Sequence, residues 1–166
     1  MSDNMVYAQE LNLTSLPLTL TTHSPEETEA VGASLGRMME AERSAPPFIA
    51  MYGDLGVGKT AFVRGLASVL APGRAVRSPT FALVNEYRAA GKRPLFHFDM
   101  YRIEDEDDLW SMGFEDYPDA GICVAEWCEN IPFALPRTFL EVRIEKCPPE
   151  TDKRLIHIAA KEAPLC

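Results

Sequence analysis

The chain is short of positive charge. Sixteen Lys and Arg stand against 25 Asp and Glu, a formal net charge of −9 at pH 7. Phosphate neutralisation dominates affinity for nucleic acid, so a chain this acidic is ill suited to grip RNA or DNA unaided. Service to a nucleic-acid pathway through a protein partner stays open. Arg74, Arg77, Arg88, Lys92 and Arg93 are gathered in one stretch, which reads either as a local basic face or as solvated loop and hairpin surface. No apolar run approaches the roughly 20 residues of a membrane span. The first residues carry Asp3 and Glu10 with no basic region ahead of an apolar stretch, so a secretory signal is not expected and a cytoplasmic location is. Cysteine is sparse: Cys123, Cys128, Cys147 and Cys166 form no C-x-x-C pair, and His23, His97 and His157 are scattered singly. That argues against structural zinc and for free thiols in a reducing compartment. Internal repeats, low-complexity linkers and a defensible domain boundary are also missing. At 166 residues one domain buries about 70% of its unfolded surface and needs no staples.

What is present follows an α/β pattern. Residues 1–15 are polar and weakly patterned and read as a flexible N-terminal extension to a domain spanning 16–166. Leu16 to Thr21 alternates as a short strand. Ser24-Pro25-Glu26-Glu27 is a helix start, with Ser24 as N-cap, Pro25 at the first position and Glu27 closing a capping box. That helix runs to about Glu42, burying Val31, Leu35 and Met38, until Ala45-Pro46-Pro47 stops it. Phe48 to Tyr52 reads as a buried strand. Phe62, Val63, Leu66, Val69 and Leu70 recur at helical spacing until Pro72-Gly73. Phe81 to Tyr87 and Leu95 to Asp99 read as strands joined by a hairpin at Ala89-Ala90-Gly91-Lys92, which makes the central sheet mixed. Glu104 to Asp108 opens a short helix through Leu109, Trp110 and Met112, its carboxylates favouring the helix dipole. Ile122 to Ala125 is a buried strand ending at Glu126-Trp127. Thr138 to Glu145 and Arg154 to Ala160 close the chain as an antiparallel pair.

Between the Phe48 strand and the helix behind it lies Gly53-Asp54-Leu55-Gly56-Val57-Gly58-Lys59-Thr60. It fits G-x-x-x-x-G-K-[ST], the P-loop of nucleotide-binding proteins, in the strand–loop–helix setting that motif requires. Glycines let the loop curl so that backbone N–H groups point inward at phosphate oxygens. Lys59 supplies a point charge to the β- and γ-phosphates, and the Thr60 hydroxyl is a Mg²⁺ ligand. The next helix offers its N-terminus to the same anion. Position 61, Ala61, is assigned no role. A P-loop also needs a carboxylate at the end of a neighbouring buried strand. Two strands end so, at Asp99 and at Glu126, and spacing alone does not choose between them. One ligates Mg²⁺ while the other orients the attacking water or senses the γ-phosphate. Thr80, in a loop with Ser78 and Pro79, has the address of a switch residue but equally suits a turn threonine bonding its own backbone. Trp127 reads as core by spacing, with packing near the nucleotide as the alternative.

The P-loop, then Ser78-Pro79-Thr80-Phe81, then His97-Phe98-Asp99-Met100-Tyr101-Arg102, then Glu126-Trp127 resemble the ordered signature of the TsaE (YjeE) family. Leu109 to Gly113 and Asp116-Tyr117 also match, so the resemblance spans about Ser24 to Pro136. It implies a small bacterial Mg-dependent ATPase of a mixed-sheet P-loop fold. Such proteins are needed to make N6-threonylcarbamoyladenosine (t6A) in tRNA and act with TsaD and TsaB. ATP binding supports that assembly, hydrolysis resets it, and tRNA is met only through the complex. Carried over residue by residue, Lys59 and Thr60 bind phosphate and Mg²⁺, and Glu126 is the acidic Mg²⁺ ligand. Asp99 is an acid needed for activity, Thr80 a switch-like threonine, and Trp127 lies near the nucleotide. The resemblance further points to Thr22–Pro25, and more distantly to Asp152–Arg154, for contacts to the base. The chain departs from the family at Cys128, where proline is usual, so the loop after Trp127 need not follow the family's shape. Two other functions share the P-loop: a small-molecule kinase, for which no lid segment is evident, and a nucleotide-gated adaptor whose hydrolysis is incidental.

Overall fold

The computed structural model describes residues 10–79 and 82–163. Thr80, Phe81 and Cys166 therefore lie outside the described residues. Seven strands form one sheet: β1 (Leu18–Thr22), β2 (Phe48–Tyr52), β3 (Val84–Tyr87), β4 (Leu95–Asp99), β5 (Ile122–Glu126), β6 (Thr138–Cys147) and β7 (Glu150–Glu162). Their order is β1-β7-β6-β2-β5-β4-β3. β6, β2, β5 and β4 run parallel, while β1, β7 and β3 are antiparallel to their neighbours. The fold is mixed α/β with helices flanking a single sheet. Four helices are described: α1 (Pro25–Ala41), α2 (Lys59–Leu70), α3 (Glu106–Ser111) and α4 (Tyr117–Ala120).

Strand β2 shows why the run Phe48-Ile49-Ala50-Met51 has no polar member. Alternate side chains enter opposite cores. Ile49 and Met51 pack with α1 and α2 through Val31, Leu35, Phe62 and Leu66. Phe48 and Ala50 pack on the other face with Phe98, Leu109 and Phe114. Because β2, β5 and β4 are parallel neighbours, their carboxyl ends finish at one edge. Asp99 and Glu126 are cross-strand partners there, and the P-loop leaves β2 at that edge.

The helix starts form where the sequence places them, with one change of detail. Ser24 is the N-cap of α1 and accepts from the Glu27 N–H at 3.1 Å. The Glu27 carboxylate receives the Ser24 hydroxyl at 3.5 Å in place of the backbone contact of a capping box. Asp105 caps α3 through the Asp108 N–H at 2.9 Å, with three carboxylates in the first turn. Strand β3 begins at Val84 rather than position 81. Leu83 sits at φ +67°, a left-handed conformation that ends strand geometry. Its N–H donates to Pro79 O, and its carbonyl accepts from Asp99 N–H at 3.0 Å. Strand β1 starts at Leu18, after a 3-10 turn at Leu13–Ser15 whose Leu13 N–H donates to Glu42. The final pair is longer than its alternation suggests, extending to Cys147 and from Glu150.

Helices α1 and α2 meet backbone to backbone. A Cβ on Gly32 would lie 2.0 Å from Phe62 O, and one on Gly65 would lie 1.8 Å from Glu29 O. These glycines let α1 seat directly on the helix that carries the P-loop.

Candidate functional site

The P-loop turns through backbone that only glycine adopts readily. Gly53 has φ +152°, and a Cβ there would sit 2.7 Å from Ile144 O. Gly58, at φ +109°, is the N-cap of α2 and brings no side chain to cap it. The first-turn N–H groups of α2 are thus left to an outside acceptor. Val57 is buried beneath the loop and its carbonyl accepts from Arg154 Nε at 2.9 Å. That bond ties the loop to β7. Asp54 and Leu55 stand exposed at the loop's outer side. Ala61 is buried and apolar, so position 61 adds no ligand.

A cavity of about 510 Å³ opens over the loop, and Gly56, Gly58, Lys59, Thr60, Asp99 and Glu126 line it. The cavity thus brings Leu55, Gly56, Gly58, Lys59 and Thr60 together with Asp99, Glu126 and Trp127, whereas Gly53, Asp54 and Val57 line a neighbouring pocket and Thr80 lies outside the described residues. Lys59 is 5% exposed; its Nζ donates to Gly53 O at 2.7 Å and lies 3.8 Å from the centre of the Trp127 ring. Burial lowers the lysine's pKa, and the carboxylates of Glu126, Glu129, Asp99 and Asp54 pull it back up. A desolvated ammonium at a phosphate loop suits an anionic ligand.

The two acids are held differently. Asp99 Oδ1 accepts from the Tyr101 N–H at 2.9 Å, which fixes the turn leaving β4. Asn130 Nδ2 braces the same turn through Met100 O and Tyr101 O. Glu126 Oε2 meets His97 Nε2 at 2.6 Å, with both side chains buried. Thr60 and the two carboxylates are hard oxygen donors of the kind Mg²⁺ takes, one or two at a time alongside phosphates and water. The donor set fits that ion.

Trp127 is not simply core. It sits at φ +60°, uncommon for a bulky residue and of the kind that clusters at functional sites. It lines the cavity, and its ring lies 5.1 Å from that of Tyr101. Cys128 follows in a 3-10 turn, its Sγ–H donating to Ala125 O at 3.1 Å. Sequence reading placed Leu55 in the phosphate loop but gave Tyr101 no place in the cavity, which both residues line, and it missed the His97–Glu126 contact. Tyr101 follows Asp99 by two residues and could have been found; the His97 contact needs the strand order.

A smaller cavity of about 120 Å³ adjoins the loop and is lined by Ser24, Pro25, Thr28, Val57, Asp152 and Arg154. It joins the two separate segments expected to contact a base. Elsewhere the basic stretch is largely engaged. Lys92 pairs with Glu40, Arg88 with Glu86, and Arg93 donates to Met39 O. Among the described residues, no helix is long and apolar enough to cross a membrane.

Comparison with known proteins gives the family. The family model described as "Threonylcarbamoyl adenosine biosynthesis protein TsaE" matches residues 22–156. The chain is 37% identical to the TsaE protein of Bacillus subtilis over 126 residues, covering 75% of each chain. It is 39% identical to that of a Nostoc species over 115 residues, covering 66% of this chain and 68% of the relative. The crystal structure of Bacillus subtilis YdiB superposes with a TM-score of 0.65 at 31% identity, covering 86% of this chain and 84% of that one. The chain belongs to the TsaE family.

Proposed function

We propose that this protein is the ATP-binding and ATP-hydrolysing component of the system that makes t6A in tRNA, a Mg-dependent ATPase working in the cytoplasm with TsaB and TsaD. Residues 16–166 form its ATPase domain, and it meets tRNA only through the complex. One observation carries the reading: a single cavity is lined by the P-loop, by Lys59 and Thr60, and by two buried strand-end carboxylates. Family membership adds the pathway.

In this reading the amides opening α2 and the Lys59 ammonium bind the phosphates. Lys59 leaves the Gly53 carbonyl to do so. Thr60 and Glu126 would hold Mg²⁺, which would supply neutralisation of phosphate charge. Asp99 accepts a hydrogen bond from the attacking water and orients it. Trp127 and Tyr101 shield the reacting phosphate from bulk water. Ser24, Pro25 and Arg154 border the base. Hydrolysis resets the complex between turnovers, so a slow basal rate is expected of the protein alone.

Calorimetric titration with ATP, with and without Mg²⁺, tests the site. Saturable binding that tightens with Mg²⁺ and is lost in Lys59→Ala supports it. No binding by the wild-type protein refutes it. A phosphorylated metabolite among the products would point to a kinase instead.

A further inference from the structure

We propose that His97 is a positioning residue, holding the Glu126 carboxylate toward the cation of the nucleotide site and away from Lys59; the inference rests on the nucleotide-site reading above. A carboxylate only accepts, so the 2.6 Å contact requires the proton on His97 Nε2. Oε2 is thereby engaged, and among the described residues the Glu126 side chain makes no second hydrogen bond. Its other oxygen belongs to a side chain that lines the cavity.

The arrangement is poorly explained as a device for stability. His97 is fully buried, and its Nδ1 has no partner among the described residues. The Tyr87 ring, centred 6.3 Å away, is its aromatic neighbour. A buried polar atom left unpaired costs free energy that offsets much of what the single hydrogen bond contributes. An apolar side chain would fill the same space without that cost.

The geometry does achieve a separation of charge. Glu126 is the strongest carboxylate influence on Lys59, yet Lys59 donates to Gly53 O and no ion pair closes between the two. A Glu126 side chain released from His97 is free to swing onto the ammonium. That pair would neutralise both the metal ligand and the phosphate-binding charge. Hydrogen bonds to a ligating carboxylate commonly set metal affinity in this way.

The test is the Mn²⁺ dependence of ADP binding, with Mn²⁺ followed by electron paramagnetic resonance, in His97→Leu and His97→Gln. The leucine removes the donor, whereas the glutamine amide restores one near the Nε2 position. His97→Leu is expected to raise the Mn²⁺ midpoint at least about tenfold and to weaken metal-free ADP binding as well, because the released carboxylate neutralises Lys59, while His97→Gln recovers most of both losses. A folded His97→Leu protein with an unchanged Mn²⁺ midpoint would overturn the proposal. If neither variant folds, ¹⁵N spectra of the wild-type ring decide: a protonated Nε2 whose resonance moves in Glu126→Gln supports the proposal, and a bare Nε2 refutes it. Wild-type protein that binds no ADP at all would instead remove the nucleotide reading beneath it.

Discussion

Gly65→Ala sets two physical effects against each other, and the structure decides between them. Gly65 lies inside α2, where alanine is favoured over glycine by about 1 kcal/mol. Judged by helix propensity alone, the variant should be more stable. The new methyl, however, would stand 1.8 Å from Glu29 O, 2.7 Å from Glu29 C and 3.0 Å from Ala33 N. All three atoms are α1 backbone, so no rotamer change relieves the clash. Carbon and oxygen need roughly 3.2 Å or more, so α1 must retreat by about 1.5 Å, and the contact of Val31 and Leu35 with Phe62 and Leu66 loosens with it. Overpacking that side chains can absorb costs about 1–3 kcal/mol, and a clash with fixed backbone belongs at or above the top of that range. Subtracting the propensity gain leaves a net loss of about 2–3 kcal/mol. For a chain of this size that lowers Tm by about 4–12 °C. Urea and thermal unfolding followed by circular dichroism measure it. Gly36→Ala is the control: its methyl would meet Val69 Cβ at 3.1 Å and Leu66 O at 3.2 Å, a tight fit rather than an overlap, so its change should stay within about 1 kcal/mol. Because α2 begins at Lys59, Gly65→Ala should also weaken nucleotide binding. A Gly65→Ala protein as stable as wild type would refute the claim that these helices touch backbone to backbone.

The site itself yields sharper expectations. Lys59→Ala and Glu126→Ala should each abolish ATP hydrolysis while leaving the circular dichroism spectrum intact, and near-wild-type turnover in either would sink the site assignment. Ser24→Ala removes the cap of α1 and should cost about 1 kcal/mol, read as a Tm drop of about 2–4 °C; no drop would mean the cap is idle. Burial pushes the Cys123 thiol up to about 12 and the Cys128 thiol upward as well. At pH 8 both lie far on the thiol side of their pKa, and the thiolate is the reactive form. Peptide mapping after alkylation of native protein should therefore find Cys123 and Cys128 unlabelled, with the partly exposed Cys147 modified. Rapid labelling of Cys123 would contradict its burial.

Local chemistry was legible in the sequence, and contacts across the sheet were not. Ser24-Pro25 and the acidic run Glu104 to Asp108 announce helix starts because capping and the helix dipole depend on adjacent residues. The P-loop, the β3–β4 hairpin and the β6–β7 pair are likewise short-range patterns. Strand β3 was read too long because nothing in Phe81-Ala82-Leu83 signals the left-handed turn at Leu83. Gly32 and Gly65 look like weak points in helices until the facing backbone is known. Asp99 and Glu126 each look right as a strand-end acid. Only the placement of β5 between β2 and β4 makes them neighbours and sets His97, 29 residues from Glu126, against that carboxylate. Trp127 meets both of its readings: it packs on the core as an aromatic behind a buried strand does, and its ring also lies against Lys59.

The central claim is an ATPase coupled to partners, and phosphate release tests it most directly. Purified protein would be assayed with Mg-ATP, alone and with a TsaB–TsaD pair. A slow basal rate that changes when the pair is added, and vanishes in Lys59→Ala, is the predicted result. A rate indifferent to the pair would contradict the partner-coupled account and leave a P-loop protein whose acceptor or effector must be sought elsewhere.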